Sequence, residues 1–269
     1  NIAMPNIVLN TAVANSLKDM ADRLEGAEDF SAAVAEVIKE TFTAHKRILF
    51  NGNGYAAEWT AEAARRGLLN LRTTVEACET LLDEKNVRLF TTFGVLSETE
   101  LHARREIMLE NYAKVLHIEA QTMIVMAGRQ IIPAVETYLQ SIAHTATLKR
   151  EVCGEDCIAM EKEIIEKLSR LNAQAYRAVD ALRQADREAY AAEDALAVAR
   201  AFRDHVIPAM ATLRAPVDEM ETMVASEAWP LPTYGELTFR QYRQLGVGVF
   251  HAAGNGTFCQ QDLTGLGHG

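Results

Sequence analysis

Apolar residues along most of this chain recur in steps of three and four, the period of an amphipathic helix. Val8 to Leu24 carries that period, and Gly26 is placed to stop the helix. Phe30 to His45 repeats it through Val34, Val37, Ile38 and Phe42, with Ser31 near the start. A short apolar run, Ile48 to Phe50, then enters an Asn-Gly-Asn-Gly turn at 51–54. Asn and Gly tolerate positive φ, so this turn is expected to reverse tightly through left-handed backbone. A short helix around Trp59 follows, with Gly67 as its stop. Residues 71–93 are mixed and predict short helices, one capped by Thr74 and one over Asp83 to Phe90.

Ser97-Glu98-Thr99-Glu100 is a capping box, in which Ser97 takes a backbone N–H and Glu100 reaches back. From it an apolar stripe runs through Leu101, Met108, Tyr112, Val115, Met123, Ile124, Ala127, Ile131, Val135, Leu139 and Ile142. That predicts a helix on the order of 45 residues, about 65 Å long at 1.5 Å per residue, kinked where Pro133 removes an N–H. Ile164, Leu168, Leu171, Ala175, Ala178, Leu182, Ala185 and Ala189 then alternate in steps of four and three, a heptad seam. A second seam runs through Val206, Met210, Leu213, Val217, Met220 and Val224. Two seams in series, broken between Tyr190 and Ala199, predict an antiparallel helical hairpin, with Pro208 near the start of the second arm and Pro216 bending it. Trp229 to Gly235 reads WPLPTYG, which two prolines hold extended as a strap. From Arg240 the chain holds 7 of its 15 glycines, and a disordered tail is expected over 240–269.

Composition agrees with an all-α fold. Of 269 residues, 49% are hydrophobic and only 7% aromatic, and alanine is abundant, which favours closely packed helices over a β-sandwich. A formal net charge of −10 argues against nucleic acid or an anionic membrane as partner. The chain opens at Asn1 with no initiating Met, as a piece of a longer protein would.

Candidate chemistry is sparse. Gly52-Asn53-Gly54 ahead of a helix offers backbone N–H groups to a phosphate, but the full nucleotide signatures are missing and a structural turn is the stronger reading. His102, Glu106, Glu110, His117 and Glu119 share one helix at spacings that metal-binding bundles use, yet no second ligand-bearing helix completes a site. They read as a solvated face paired with Arg104, Arg105, Lys114 and Arg129. Cys153 and Cys157, with His144 as the nearest further ligand, fall short of a metal site, and all four cysteines, Cys78 and Cys259 included, read as free thiols.

The wording of His45 to Thr74, HKRILFNGNGYAAEWTAEAARRGLLNLRTT, resembles the C-terminal region of type III glutamine synthetases. Pro5 to Thr11, Gly94 to Pro133 and Trp229 to Phe239 resemble the same family in the same order. The resemblance implies a parent enzyme that uses ATP and Mg²⁺ to activate glutamate for attack by ammonia. It places that family's metal-binding glutamates, nucleotide contacts and glutamate-clamping arginines upstream, and carries no catalytic, cofactor-binding or metal-binding residue onto this chain. Met4 stands where the family has Gly. The resemblance implies a trailing edge of the catalytic domain over 1–25, a helical domain over 26–239 and a non-family tail over 240–269. It also implies a cytoplasmic homo-oligomer whose helical region contacts the catalytic domain and is inactive alone. An unrelated coiled-coil adaptor or scaffold would show the same heptad seams without the Asn-Gly turn or the strap.

Overall fold

The computed structural model describes residues 2–232 and residue 237, and among these it is all-α. The chain divides into two units. The first comprises Asn1–Ala120 and Gln184–Pro208, the second Gln121–Arg183 and Ala209–Gly269.

Helix α1, Ala3–Leu24, begins five residues before the periodic stretch, because Pro5 sits in its first turn, where a missing N–H costs nothing. Its C-terminal residue is followed by Glu25 and by Gly26 at φ 78°, as the sequence predicts. Helix α2, Phe30–His45, has the expected bounds and is capped by Asp29, whose carboxylate accepts the Ala32 N–H at 3.0 Å. Helix α3, Ala57–Arg65, ends in a Schellman motif. Gly67 takes φ 70°, and the Leu68 and Gly67 N–H groups donate to the carbonyls of Ala63 and Ala64. Helices α4, Thr74–Thr80, and α5, Glu84–Thr92, follow. Thr73, one residue before the predicted cap, closes a capping box with Glu76.

Helix α6, Glu98–Met126, opens on the predicted box. The Glu100 N–H donates to Ser97 Oγ at 3.2 Å and the Ser97 N–H to Glu100 Oε2 at 2.8 Å. These bonds to Ser97 hold the Glu100 carboxyl below the usual range. We expect Ser97→Ala to lower stability by about 1 kcal/mol in denaturant titration, the usual cost of losing an N-cap. An unchanged midpoint would show that the helix start is held by packing alone.

The buried stripe of α6 differs from the predicted one. Leu109, Ala113 and Ala120 are buried, whereas Val115 is 44% exposed. Leu101 and Ile124 of the predicted stripe are buried as well, so the face departs from the prediction only in the middle of α6. Beyond α6, a five-residue π turn, Ala127–Ile131, leads into α7, Ile132–Cys153. It lies just ahead of Pro133. Widening the turn there accommodates both the absent N–H and the crowded carbonyl. The same device recurs in the first unit, where the π turn Phe202–Val206 directly precedes Ile207-Pro208.

Helix α8, Ala159–Tyr190, and the segment from α9, Ala195–Ala201, through α10, Ile207–Glu221, are the two predicted seams. Leu168, Leu171, Ala175, Ala178, Leu182 and Ala189 are buried on one, and Val206, Leu213 and Met220 on the other. In the second unit Lys167, early in α8, pairs with Glu219, late in α10, at 2.8 Å. In the first unit Tyr190, ending α8, meets the Phe202 ring at 6.1 Å between centroids. Within the second unit, a residue early in α8 paired with one late in α10 is what antiparallel arms place together. The break falls between Tyr190 and Ala195, where Asp194 caps α9 by accepting the Ala197 N–H at 2.8 Å. Helix α10 continues through the buried Pro216.

Trp229 is 8% exposed and its backbone N–H donates to the Ala225 carbonyl at 3.1 Å, so the strap starts from a buried ring. Residues 229–232 lie outside any helix. The remainder of the strap at 233–235, and the tail over 240–269, lie outside the described residues.

Candidate functional site

The Asn51–Gly54 turn is built differently from the expectation. The described residues at positive φ are Gly26, Gly67, Gly94 and Gly154, so neither glycine of the turn uses left-handed backbone. Gly52 is required for another reason. A Cβ there would stand 2.7 Å from the Phe50 ring, closer than atoms approach. Asn53 Oδ1 accepts the Tyr55 N–H at 3.0 Å, a side-chain turn that replaces a backbone one.

Around this turn the chain braces itself. Phe50 stacks on Trp59 with centroids 4.4 Å apart. The Arg66 guanidinium lies 6.0 Å and 5.8 Å from these two ring centroids. It donates to the carbonyls of Arg47 at 3.1 Å and Leu49 at 2.6 Å. Glu62 receives both Arg65 and Arg66. Hydrogen bonds from Arg65, then Arg66, hold the Glu62 carboxyl down at about 2.

The sign of that shift sets a pH window. A carboxylate whose folded pKa is depressed contributes stability above its ordinary value of 4.5, and loses it as pH falls through about 2. Trp59 fluorescence should therefore hold through pH 4.5 on acid titration and change toward pH 2. Glu62→Gln should abolish that transition. A transition centred on 4.5 in the unsubstituted protein would show that the clamp does not form.

The other candidates separate. Helix α3 starts at Ala56-Ala57 without a side-chain cap, and Gly52 is committed to the Phe50 ring. His102, Glu106, Glu110 and Glu119 are exposed, with Glu106 on Arg105 at 2.9 Å. His117 leaves this face altogether. Its Nδ1 lies 2.8 Å from Oδ1 of Asp186, which is 1% exposed, and its ring packs on Tyr190 and Phe202. Cys153 and Cys157 are exposed free thiols, and Cys157 Sγ donates to the Cys153 carbonyl at 3.3 Å. Burial pushes the Cys157 thiol up, and does the same to the buried Cys78. His144 is exposed, and Cys259 lies outside the described residues. Among the described residues no group of three or more His, Cys, Asp or Glu is placed to hold a metal ion.

Three contacts made by a buried polar side chain were missed from sequence. These are His117–Asp186 in the first unit, and Lys149–Glu161 and Asn172–Glu136 in the second. A signal existed for two of them. Asn172 and Asp186 each follow a seam leucine, Leu168 and Leu182, by four residues, and so fall on the buried face.

Helix α1 has two apolar sides. Met4 and Ile7 pack on the core of Phe90, Leu96 and Leu101, and Thr11 is buried beside them. About half a turn around the helix, at 3.6 residues per turn, stand Leu9, Val13 and Leu17. They are 63%, 50% and 62% exposed. No charged residue occurs from Ile2 to Leu17.

Among the described residues the chain is helical, with one braced turn and no group of His, Cys, Asp or Glu placed to hold a metal ion. Residues 33–150 match the family described as glutamine synthetase C-terminal domain. The chain is 34% identical to a glutamine synthetase of Butyrivibrio fibrisolvens, over 79% of this chain and 30% of that protein. It is 30% identical to the type-3 glutamine synthetase of Dictyostelium discoideum, over 88% of this chain and 33% of that protein. A glutamine synthetase of Bacteroides fragilis (strain YCH46) is also 30% identical, over 89% of this chain and 34% of that protein. Residues 33–150 thus belong to the glutamine synthetase C-terminal domain family. The chain spans about a third of the length of these curated relatives.

Proposed function

We propose that this chain is the C-terminal helical region of a cytoplasmic type III glutamine synthetase, inactive by itself, and that it docks on the enzyme's catalytic portion through α1. Residues 1–25 are the edge shared with that portion, 26–239 the helical region and 240–269 a tail outside it. The parent joins ammonia to glutamate at the expense of ATP, with Mg²⁺. The described residues do not fit a metal site, and ATP and Mg²⁺ are assigned to the portion outside this chain. No helix among the described residues is long and apolar enough to cross a membrane.

The observation that carries this reading is the two-sided α1. It precedes the matched stretch at 33–150, and its outer side is apolar, uncharged and exposed. The relatives have about twice as much chain again beyond the part matched here, enough to cover it.

The test joins the full chain to the Butyrivibrio fibrisolvens enzyme in place of its matching segment. The chain alone should give no glutamine from glutamate, ammonia, ATP and Mg²⁺, and the hybrid should give it. Val13→Cys should react with a maleimide in the free chain and be protected in the hybrid. Equal labelling in both would overturn docking through α1. An inactive hybrid would overturn the glutamine synthetase reading.

A further inference from the structure

Residues 46–72 form a knob whose shape is set before any contact is made. The Phe50–Trp59 stack and the Arg66 bonds to two carbonyls fix its backbone. Helix α3, which it contains, buries none of its own residues. The knob displays Tyr55 at full exposure, with Leu69, Ile48 and Leu49 each more than half exposed. Surface aliphatics and an aromatic gathered on one braced loop are a contact surface, and the bracing lowers the entropy cost of using it.

Charge identifies the counterpart. The knob has five Lys and Arg against two Glu, in a chain whose formal net charge is −10. It is therefore opposite in sign to the rest of its own chain. The first unit also holds a cleft of about 380 Å³ lined by Glu110, Lys114, Tyr190, Glu193 and Asp194. Three carboxylates against one ammonium make that cleft acidic, and the Tyr190 ring gives it an apolar wall.

We infer that the knob of one copy, led by Tyr55, docks in the acidic cleft of a second copy of this chain. Knob and cleft are different surfaces, so the contact is head-to-tail and propagates into a ring or an open string rather than closing as a two-fold dimer. The inference stands apart from the assignment to glutamine synthetase, since it needs only this chain.

Light scattering on the full chain, across a micromolar to millimolar range and at low and high salt, reads the assembly directly. Growth beyond the monomer with concentration, weakened by salt, is expected. Tyr55→Ser and Glu193→Lys each change an exposed residue and should each weaken assembly at least about tenfold, with unchanged circular dichroism. Leu69→Ser provides a second knob variant should either fail to fold. Equimolar Tyr55→Ser and Glu193→Lys copies should recover a dimer, because together they retain one intact knob and one intact cleft. A chain that stays monomeric overturns the inference, as do variants that assemble like the parent or a mixture that does not pair. Assembly abolished by Leu9→Glu but not by Tyr55→Ser would assign the contact to α1 instead and equally overturn it.

Discussion

Leu182→Asp is expected to destabilise the second unit by about 3–5 kcal/mol, the range for a charge placed in a dry core. Leu182 is fully buried in the α8 seam, between Ala178 and Ala189, which are buried as well. An aspartate there loses the apolar burial of the leucine. It also places a carboxylate at a fully buried position on an apolar seam. At the usual slope for chains of 150–250 residues, the melting temperature should fall by roughly 6–20 °C. Scanning calorimetry on the purified chain reads this. A melting temperature within about 2 °C of the parent, less than 1 kcal/mol on that slope, would show that the seam face is not a core.

Phe202→Ala carries a comparable expected cost, about 3–5 kcal/mol, for a different reason. Phe202 is fully buried at the start of a π turn in the first unit. Its ring stands edge-on to both His117 and Tyr190, with centroids 6.4 Å and 6.1 Å away. Truncation leaves a cavity beside the His117–Asp186 pair and admits water to a carboxylate that is 1% exposed. Phe202→Leu should recover most of the loss by filling the space. If Phe202→Ala melts like the parent, the π turn repacks without its ring and the aromatic cluster is not part of the core.

These two positions show unequally in the sequence. Leu182 was legible because a seven-residue repeat of apolar side chains has one physical meaning, a helix face turned to another helix. Phe202 stands four residues ahead of Val206, in register with the second seam, but the period alone does not tell that its ring meets two others. Its ring contacts depend on the α8–α9 connection, which brings Tyr190 to it, and on α6, which brings His117. Helix ends divide in the same way. The Ser97 box and the Gly26 and Gly67 stops are local hydrogen-bonding patterns within a few residues, and each stands where the sequence puts it. Thr73 displaced the cap read at Thr74, since neighbouring hydroxyls at a helix start compete and backbone geometry selects between them.

By itself the sequence determined the helical period, the two seams, the capping box and the wording that ties the chain to the glutamine synthetase C-terminal domain. All of these are short-range or compositional, carried by residues within one or two helical turns of each other. Only the tertiary structure decided what the Asn-Gly turn is for. Gly52 is small because the Phe50 ring lies against it, not because its φ is positive. Only the tertiary structure turned His117 away from the acidic face of its helix and onto Asp186, 69 positions along the chain. It also showed that α1 fills one apolar side and leaves the other exposed. The physical reason is common to all three. A side chain's partner across the fold depends on which helix packs against it, and a local pattern of residue types records that a face is apolar or polar without recording what it meets.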